Sequence, residues 1–250
     1  MVEPVLSLQN LRKNFGGLCV TDDLSLDVLP GELHALIGPN GAGKTTLINQ
    51  ISGLISPDAG RIVFCGADVT ASAPFERAKL GLARSFQITS TLPNFSALEN
   101  VSLAVQARSG SSYRFFGDAA KEADLSSQAM SALQEVGLAH RAETQAAHLS
   151  HGERRALELA IALAMQPKLL VLDEPMAGTG REEGARLVAV LQRLKGRFPI
   201  VLVEHDMHAV FALADRVSVL IYGRILMTGD PASVRSDPKV IAAYLGDETA

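Results

Sequence analysis

The stretch "GPNGAGKTT" at residues 38–46 has the residue types and spacing to hold a phosphate chain. Gly38, Gly43, Lys44 and Thr45 fit the pattern G-x-x-x-x-G-K-[ST]. Glycines allow a turn tight enough for several backbone N–H groups to converge on phosphate oxygens. Asn40 and Gly41 lie inside that loop, and Thr46 follows it. A helix beginning at Lys44 adds its positive end to the site. The Lys44 ammonium can reach β- and γ-phosphates, and the Thr45 hydroxyl can ligate Mg²⁺. The plain alternative is a glycine-rich turn with a chance lysine. An apolar "HALI" strand before the loop and helical Lys44–Ile51 after it argue for the phosphate site.

Two further strand ends carry charge. "LLVLDEP" (169–175) is an apolar run ending in Asp173 and Glu174. Acidic residues there lie at the carboxyl edge of a parallel sheet, where ligands of α/β proteins bind. Asp173 is a natural partner for Mg²⁺, through water, because that ion keeps much of its hydration. Glu174 is placed to polarise an attacking water. "VLVEHDM" (201–207) ends a third strand in Glu204, His205 and Asp206. On its own His205 reads as a surface or structural histidine. Beside the other two motifs it reads as a γ-phosphate contact.

"LSHGERRALELA" (149–160) admits three readings. Ser150 and Glu153 have capping-box spacing, and strong helix formers follow them. A metal or catalytic role for His151 is the weakest, since no second His or Cys stands at ligand spacing. The third is a phosphate-facing helix start built from Ser150, Gly152 and the free N–H groups of the first turn. The first and third are compatible.

These pieces, in this order, resemble the nucleotide-binding subunit of ABC transporters over essentially the whole chain. The order is P-loop 38–45, Gln87 in "GLARSFQ", "LSHGE" as the signature, "LLVLDE" directly after it, then "EHD". The resemblance implies a sandwich dimer with two ATP molecules, each between one subunit's P-loop and the other's signature. It implies Lys44, Glu174, His205 and Gln87 as the catalytic set, with Glu174 as general base. Gly38, Asn40, Gly41, Gly43, Lys44, Thr45 and Thr46 would hold nucleotide. So would Phe15 as an adenine-stacking ring, and Ser150, Gly152 and Glu153 from the signature. Thr45, Asp173 and Gln87 would bind Mg²⁺. The implied partners are a second ATP-binding subunit, in a homodimer or a heterodimer, two transmembrane permease subunits and, indirectly, a solute-binding protein. The implied location is the cytoplasmic face of the inner or plasma membrane.

"FGGL", "NFSALENV", the "QARSG" insert and "DPKVIAAYLGD" resemble the ATPases of branched-chain amino acid importers. Related systems importing urea, amides or organic acids, or exporting lipopolysaccharide, are the alternative. "MAGTGREE" departs from the family pattern after "DEP". Gly180 stands near where a proline is usual, and glycine has more backbone freedom to lose. Altered communication between the two ATP sites is therefore expected. His151 stands where glycine is usual; its side chain is expected to point away from the phosphate or lie along its edge, as a weakly pH-dependent charge.

The elements needed to position these residues are those of an α/β P-loop NTPase core of RecA-like type. An antiparallel β subdomain and an inserted α-helical subdomain complete it. The expected core is about 1–87 and 158–250, with the helical part about 88–157, all within one ATPase domain. "IVLV" (200–203) is a strand, a helix starts near Met207, and 217–229 is a hairpin turning at Tyr222–Gly223. In "REEGARLVAVLQRL" the residues Leu187, Val190, Leu191 and Leu194 share a helical face. Glu182 and Arg186 have i,i+4 spacing. "DLSSQAMSALQEVG" is helical up to Gly137, and 106–118 is expected to be a long polar loop. The chain is 47% apolar and 20% charged with net charge −4, which disfavours a nucleic-acid partner. Cys19 and Cys65 match no metal spacing. No signal peptide is visible, and no apolar run has the length of a membrane span. A long coiled-coil insert does not fit between Lys44 and Ser150, which disfavours chromosome-cohesion and repair ATPases. A kinase or GTPase reading leaves "LSHGE" and "EHD" unexplained.

Overall fold

The computed structural model describes residues 2–85, 91–108 and 119–245. It divides into two compact units: one of residues 1–82, 168–174 and 194–250, the other of 83–167 and 175–193. The sequence boundary near 157 therefore differs from the observed one. The second unit runs on to Pro167 and also takes in Pro175–Arg193.

In the first unit, β1 (Leu6–Phe15) and β2 (Leu18–Val28) form an antiparallel hairpin, and β3 (Leu33–Ile37) leads into α1 (Lys44–Ile51). β4 (Ala59–Phe64) and the short β5 (Ala67–Asp68) extend the hairpin into a four-stranded sheet of order β2-β1-β4-β5. α2 (Pro74–Leu80) and β6 (Leu82–Arg84) come next in the chain. After the second unit's helices α3 (Ala97–Arg108), α4 (Ala119–Glu135) and α5 (His151–Ala164) comes β7 (Leu169–Asp173). α6 (Arg181–Leu194) precedes β8 (Ile200–Val203), α7 (Met207–Leu213), β9 (Arg216–Ile221) and β10 (Arg224–Gly229). α8 (Pro231–Ser236) and α9 (Pro238–Leu245) close the described chain. The second sheet has the order β10-β9-β3-β8-β7-β6.

Its middle strands β9, β3, β8 and β7 are parallel, and β3, β7 and β8 are buried at every position. Such strands are covered on both faces, so they read as continuous apolar runs. β9 turns into β10 through Tyr222 (φ 47°) and Gly223 (φ 77°), two successive left-handed residues. That turn matches the twist of an antiparallel pair, as the hairpin expectation required. The core is mainly aliphatic: Leu6, Leu8, Leu11, Leu36, Ile48, Ile62, Val171 and Val203 are all but fully buried, with Phe64 among them.

In the second unit α3, α4 and α5 pack on one another through Val101, Val105, Ala129, Leu133, Leu157 and Ala160. α4 ends two residues before Gly137, whose φ of +77° supplies the left-handed stop. The expected loop at 106–118 begins later than the sequence suggests. Gln106–Arg108 complete α3, held there because the Arg108 guanidinium donates to the Ala164 carbonyl at 2.8 Å. The rest of that stretch up to Asp118 lies outside the described residues.

Candidate functional site

Strand register aligns three of the sequence motifs. Leu36 of β3 lies opposite Val203 of β8, which lies opposite Asp173 of β7. The P-loop, Asp173–Glu174 and Glu204–His205 therefore leave the sheet at one edge. Parallel strands with equal register put their carboxyl ends side by side, which is how residues far apart in sequence come to share a site.

Within the loop, Gly41 (φ 79°) and Gly43 (φ 106°) are left-handed, and Gly43 caps α1. A Cβ on Gly43 would lie 2.6 Å from the Val20 carbonyl oxygen, and one on Gly38 would collide with the Leu220 carbonyl. Glycine is thus required at both positions for space, and at Gly43 for backbone freedom as well. Asn40, Gly41 and Thr45 are exposed and Thr46 is half-buried. Lys44 is buried, and its ammonium donates to the carbonyls of Gly38 (2.5 Å) and Pro39 (3.0 Å). Burial lowers the Lys44 pKa, while the carboxylates of Glu174 and Asp173 oppose that shift. Lys44 so closes the phosphate loop upon itself, with two acidic side chains near enough to act on it.

Glu174 occupies a left-handed backbone conformation (φ 49°), uncommon for a residue with a Cβ. Its N–H donates to the Val203 carbonyl at 2.9 Å, which holds the strained turn against β8. Strain of this kind is characteristic of functional positions. Asp173 and Glu204 are buried. The Glu204 carboxylate accepts from the His205 N–H at 3.1 Å, while the His205 imidazole is exposed. Asp206 caps α7, accepting from the N–H groups of His208 (2.9 Å) and Ala209 (3.3 Å). The acidic end of "EHD" thus fixes where the chain turns and leaves His205 outside the helix.

Phe15 lies at the tip of the β1–β2 hairpin, paired with Leu18, and half its surface is exposed. The Lys13 ammonium stands 5.6 Å from its ring centroid. The same hairpin brings the Val20 carbonyl against Gly43, so the exposed ring and the phosphate loop belong to one assembly. Gln87 lies outside the described residues.

Ser150, Gly152 and Glu153 belong to the second unit. The capping box is present: Glu153 N–H donates to Ser150 Oγ (3.2 Å), and Ser150 N–H donates to the Glu153 carboxylate (2.8 Å). Glu153 also pairs with Arg141 at 3.2 Å. The His151 imidazole Nε2–H donates to the Ala177 carbonyl at 3.2 Å. Among the described residues no group of His, Cys, Asp and Glu could hold a metal ion by itself.

Two features escaped sequence reasoning. Arg77 is buried and donates to the carbonyls of Gln50 (2.7 Å) and Ile51 (2.8 Å), the last acceptors of α1. Asn100 is buried and donates to the carbonyls of Leu92, Phe95 and Ser96, while its own carbonyl accepts from the Leu92 N–H. Neither stands in a recognisable motif of the site, and both hold carbonyls that only the folded chain brings together.

A sheet of mainly parallel strands with a glycine-rich loop and acidic strand ends defines the core of a P-loop NTPase. The ABC transporter family model matches residues 21–177. The chain belongs to that family, and its activity is the ATP hydrolysis that powers transport. A model described as "Branched-chain amino acid ATP-binding cassette transporter" matches residues 224–250. The high-affinity branched-chain amino acid transport ATP-binding protein LivG of Escherichia coli K12 is 34% identical, covering 99% of this chain and all of its own length. BraF of Pseudomonas aeruginosa, with the same description, is 32% identical over 99% of this chain and all of its own. A solved ATP-binding cassette of an ABC transporter, in its ADP conformation, superposes with a TM-score of 0.85 at 29% identity, over 98% of this chain and all of that one.

Proposed function

We propose that this chain is the ATPase subunit of an importer for branched-chain amino acids or closely related small solutes. The observation that carries the reading is the convergence at one sheet edge of the Lys44 loop, Asp173–Glu174 and Glu204–His205. The solute assignment is supported by the match of residues 224–250 and by the descriptions of LivG and BraF.

In this reading the loop from Gly38 to Thr46 wraps the phosphates with its N–H groups. Lys44 exchanges the Gly38 and Pro39 carbonyls for phosphate oxygens, and Phe15 stacks on the base. Glu174 orients and deprotonates the attacking water, and His205 contacts the γ-phosphate. Phosphoryl transfer of this kind is catalysed mainly by positioning and charge neutralisation. The Thr45 hydroxyl and the Asp173 carboxylate are hard oxygen donors of the type Mg²⁺ takes, and Gln87 would add a third. Mg²⁺ held there would neutralise charge on the phosphates. Ser150 and Gly152, at the capped start of α5, would meet the ATP held by a second ATPase subunit.

No helix among the described residues is long and apolar enough to cross a membrane. Attachment to the cytoplasmic face would therefore run through two permease subunits, with a solute-binding protein delivering cargo to them. Affinity purification from membranes tests this. Recovery of two polytopic proteins with the chain supports the importer reading; recovery of the chain without any overturns it.

A further inference from the structure

Among the described residues, the start of α5 is tied to the segment that follows Glu174 by two separate side-chain bonds. Ser150 Oγ–H donates to Glu183 Oε1 at 3.0 Å, and His151 Nε2–H donates to the Ala177 carbonyl at 3.2 Å. The Glu183 carboxylate lies over the first turn of α5: a Cβ on Gly152 would sit 2.6 Å from Glu183 Oε2 and 2.8 Å from its Cγ. Only glycine leaves room for the carboxylate there. At Gly178 (φ +72°) the fit is looser: a Cβ there would lie 3.3 Å from the His151 imidazole Nε2, and it is the left-handed backbone that favours glycine.

A serine hydroxyl has one proton to give. In this structure Ser150 gives it to Glu183, while its lone pair takes the Glu153 N–H. The unpaired N–H groups and positive end of a helix favour an anion at this spot. Glu183 supplies that anion from within the chain. A phosphate oxygen arriving here would need the same proton and would meet a like charge.

We infer that Glu183 is an internal stand-in for phosphate at the signature, a latch that must withdraw before a second subunit's ATP can engage Ser150 and Gly152. The inference rests on the proposed cassette function. His151 holds the other end of the latch, which accounts for an imidazole at that position more directly than a charge at the phosphate edge. Gly180, with open space around the site of its missing side chain, lies between the two tied points and gives the segment freedom to swing. The latch raises the ATP concentration at which two copies close.

The test uses the full chain carrying Glu174→Gln, which blocks turnover, and measures dimer formation against ATP concentration by light scattering. Glu183→Gln and Glu183→Ala are compared in that background. Loss of one charge-assisted contact at a helix start corresponds to about a five-fold change, so both variants are expected to lower the ATP midpoint about five-fold. A midpoint unchanged or raised in either variant, with the parent dimerising normally, overturns the latch and leaves the cassette reading standing. Failure of the parent and both variants to dimerise at saturating ATP overturns the pairing of two copies of this chain through the signature, and the latch with it.

Discussion

Lys44 and Glu174 show how much a single residue's role depends on what surrounds it. Their places, on a glycine loop and at the end of a buried strand, were legible in the sequence, because glycine spacing and an acidic strand end are local signals. The left-handed backbone at Glu174 was not, since it arises from the β8 carbonyl that holds its N–H. Two predictions belong at this scale. Lys44→Ala removes the charge that the proposed function brings to phosphate, and ATP affinity measured by fluorescent-nucleotide titration should fall by one to two orders of magnitude, about 1.4–2.8 kcal/mol. Glu174→Gln should keep that affinity and reduce the hydrolysis rate by about 10²–10⁴-fold, the usual contribution of a general base. The backbone adds a further consequence. Glu174→Gly relieves the positive φ, so it should denature at a higher temperature than Glu174→Ala, by an amount equivalent to about 1 kcal/mol, although both are inactive.

At the scale of elements, the phosphate helix α1 is held at both ends. Gly43 caps its start, and the Arg77 guanidinium closes its last turn through the Gln50 and Ile51 carbonyls. Burial lowers the Arg77 pKa, yet four carbonyls, including those of Thr70 and Ser72, compensate the buried charge. Arg77→Met removes the guanidinium from all four carbonyls, of which Gln50 keeps the Gly53 N–H. It should destabilise the protein by about 3 kcal/mol in denaturant melts and weaken ATP binding only modestly. The elements themselves were read well where a local code exists. The buried strands β3, β7 and β8, the Tyr222–Gly223 turn, the aliphatic face of α6 and the Ser150–Glu153 box all carry one. Arg77 and Asn100 carry none, because an arginine in a helix and an asparagine in "LEN" look solvated until the carbonyls they hold are in place. The buried row of Glu32, His34 and Ser218 makes the same point. Glu32 lies 3.3 Å from His34 Nδ1, and His34 Nε2 stands 2.8 Å from Ser218 Oγ. The order resembles a nucleophilic triad, but Ser218 is wholly buried and hydrogen-bonds Thr228, so the row serves as internal bracing.

At the scale of the whole molecule, the features separate into those one chain completes and those it does not. The P-loop, Glu174 and His205 lie in one unit, while Ser150, Gly152 and Glu183 lie in the other. If the signature engages the ATP of a second subunit, nucleotide stabilises the protein in two stages. Binding to one chain adds about 2.7 kcal/mol at a hundredfold excess over Kd. Closure into a dimer adds a further amount that grows with protein concentration, because mass action favours the associated state. The melting temperature of the Glu174→Gln protein with ATP should therefore rise with protein concentration. With ADP, which has no γ-phosphate for Ser150 to meet, the shift should be smaller and independent of concentration. Lys44→Ala should shrink both shifts at the same nucleotide concentration, in line with its weaker binding. A concentration-independent shift with ATP would confine the site to one chain, and the capped start of α5 would then serve only to begin a helix.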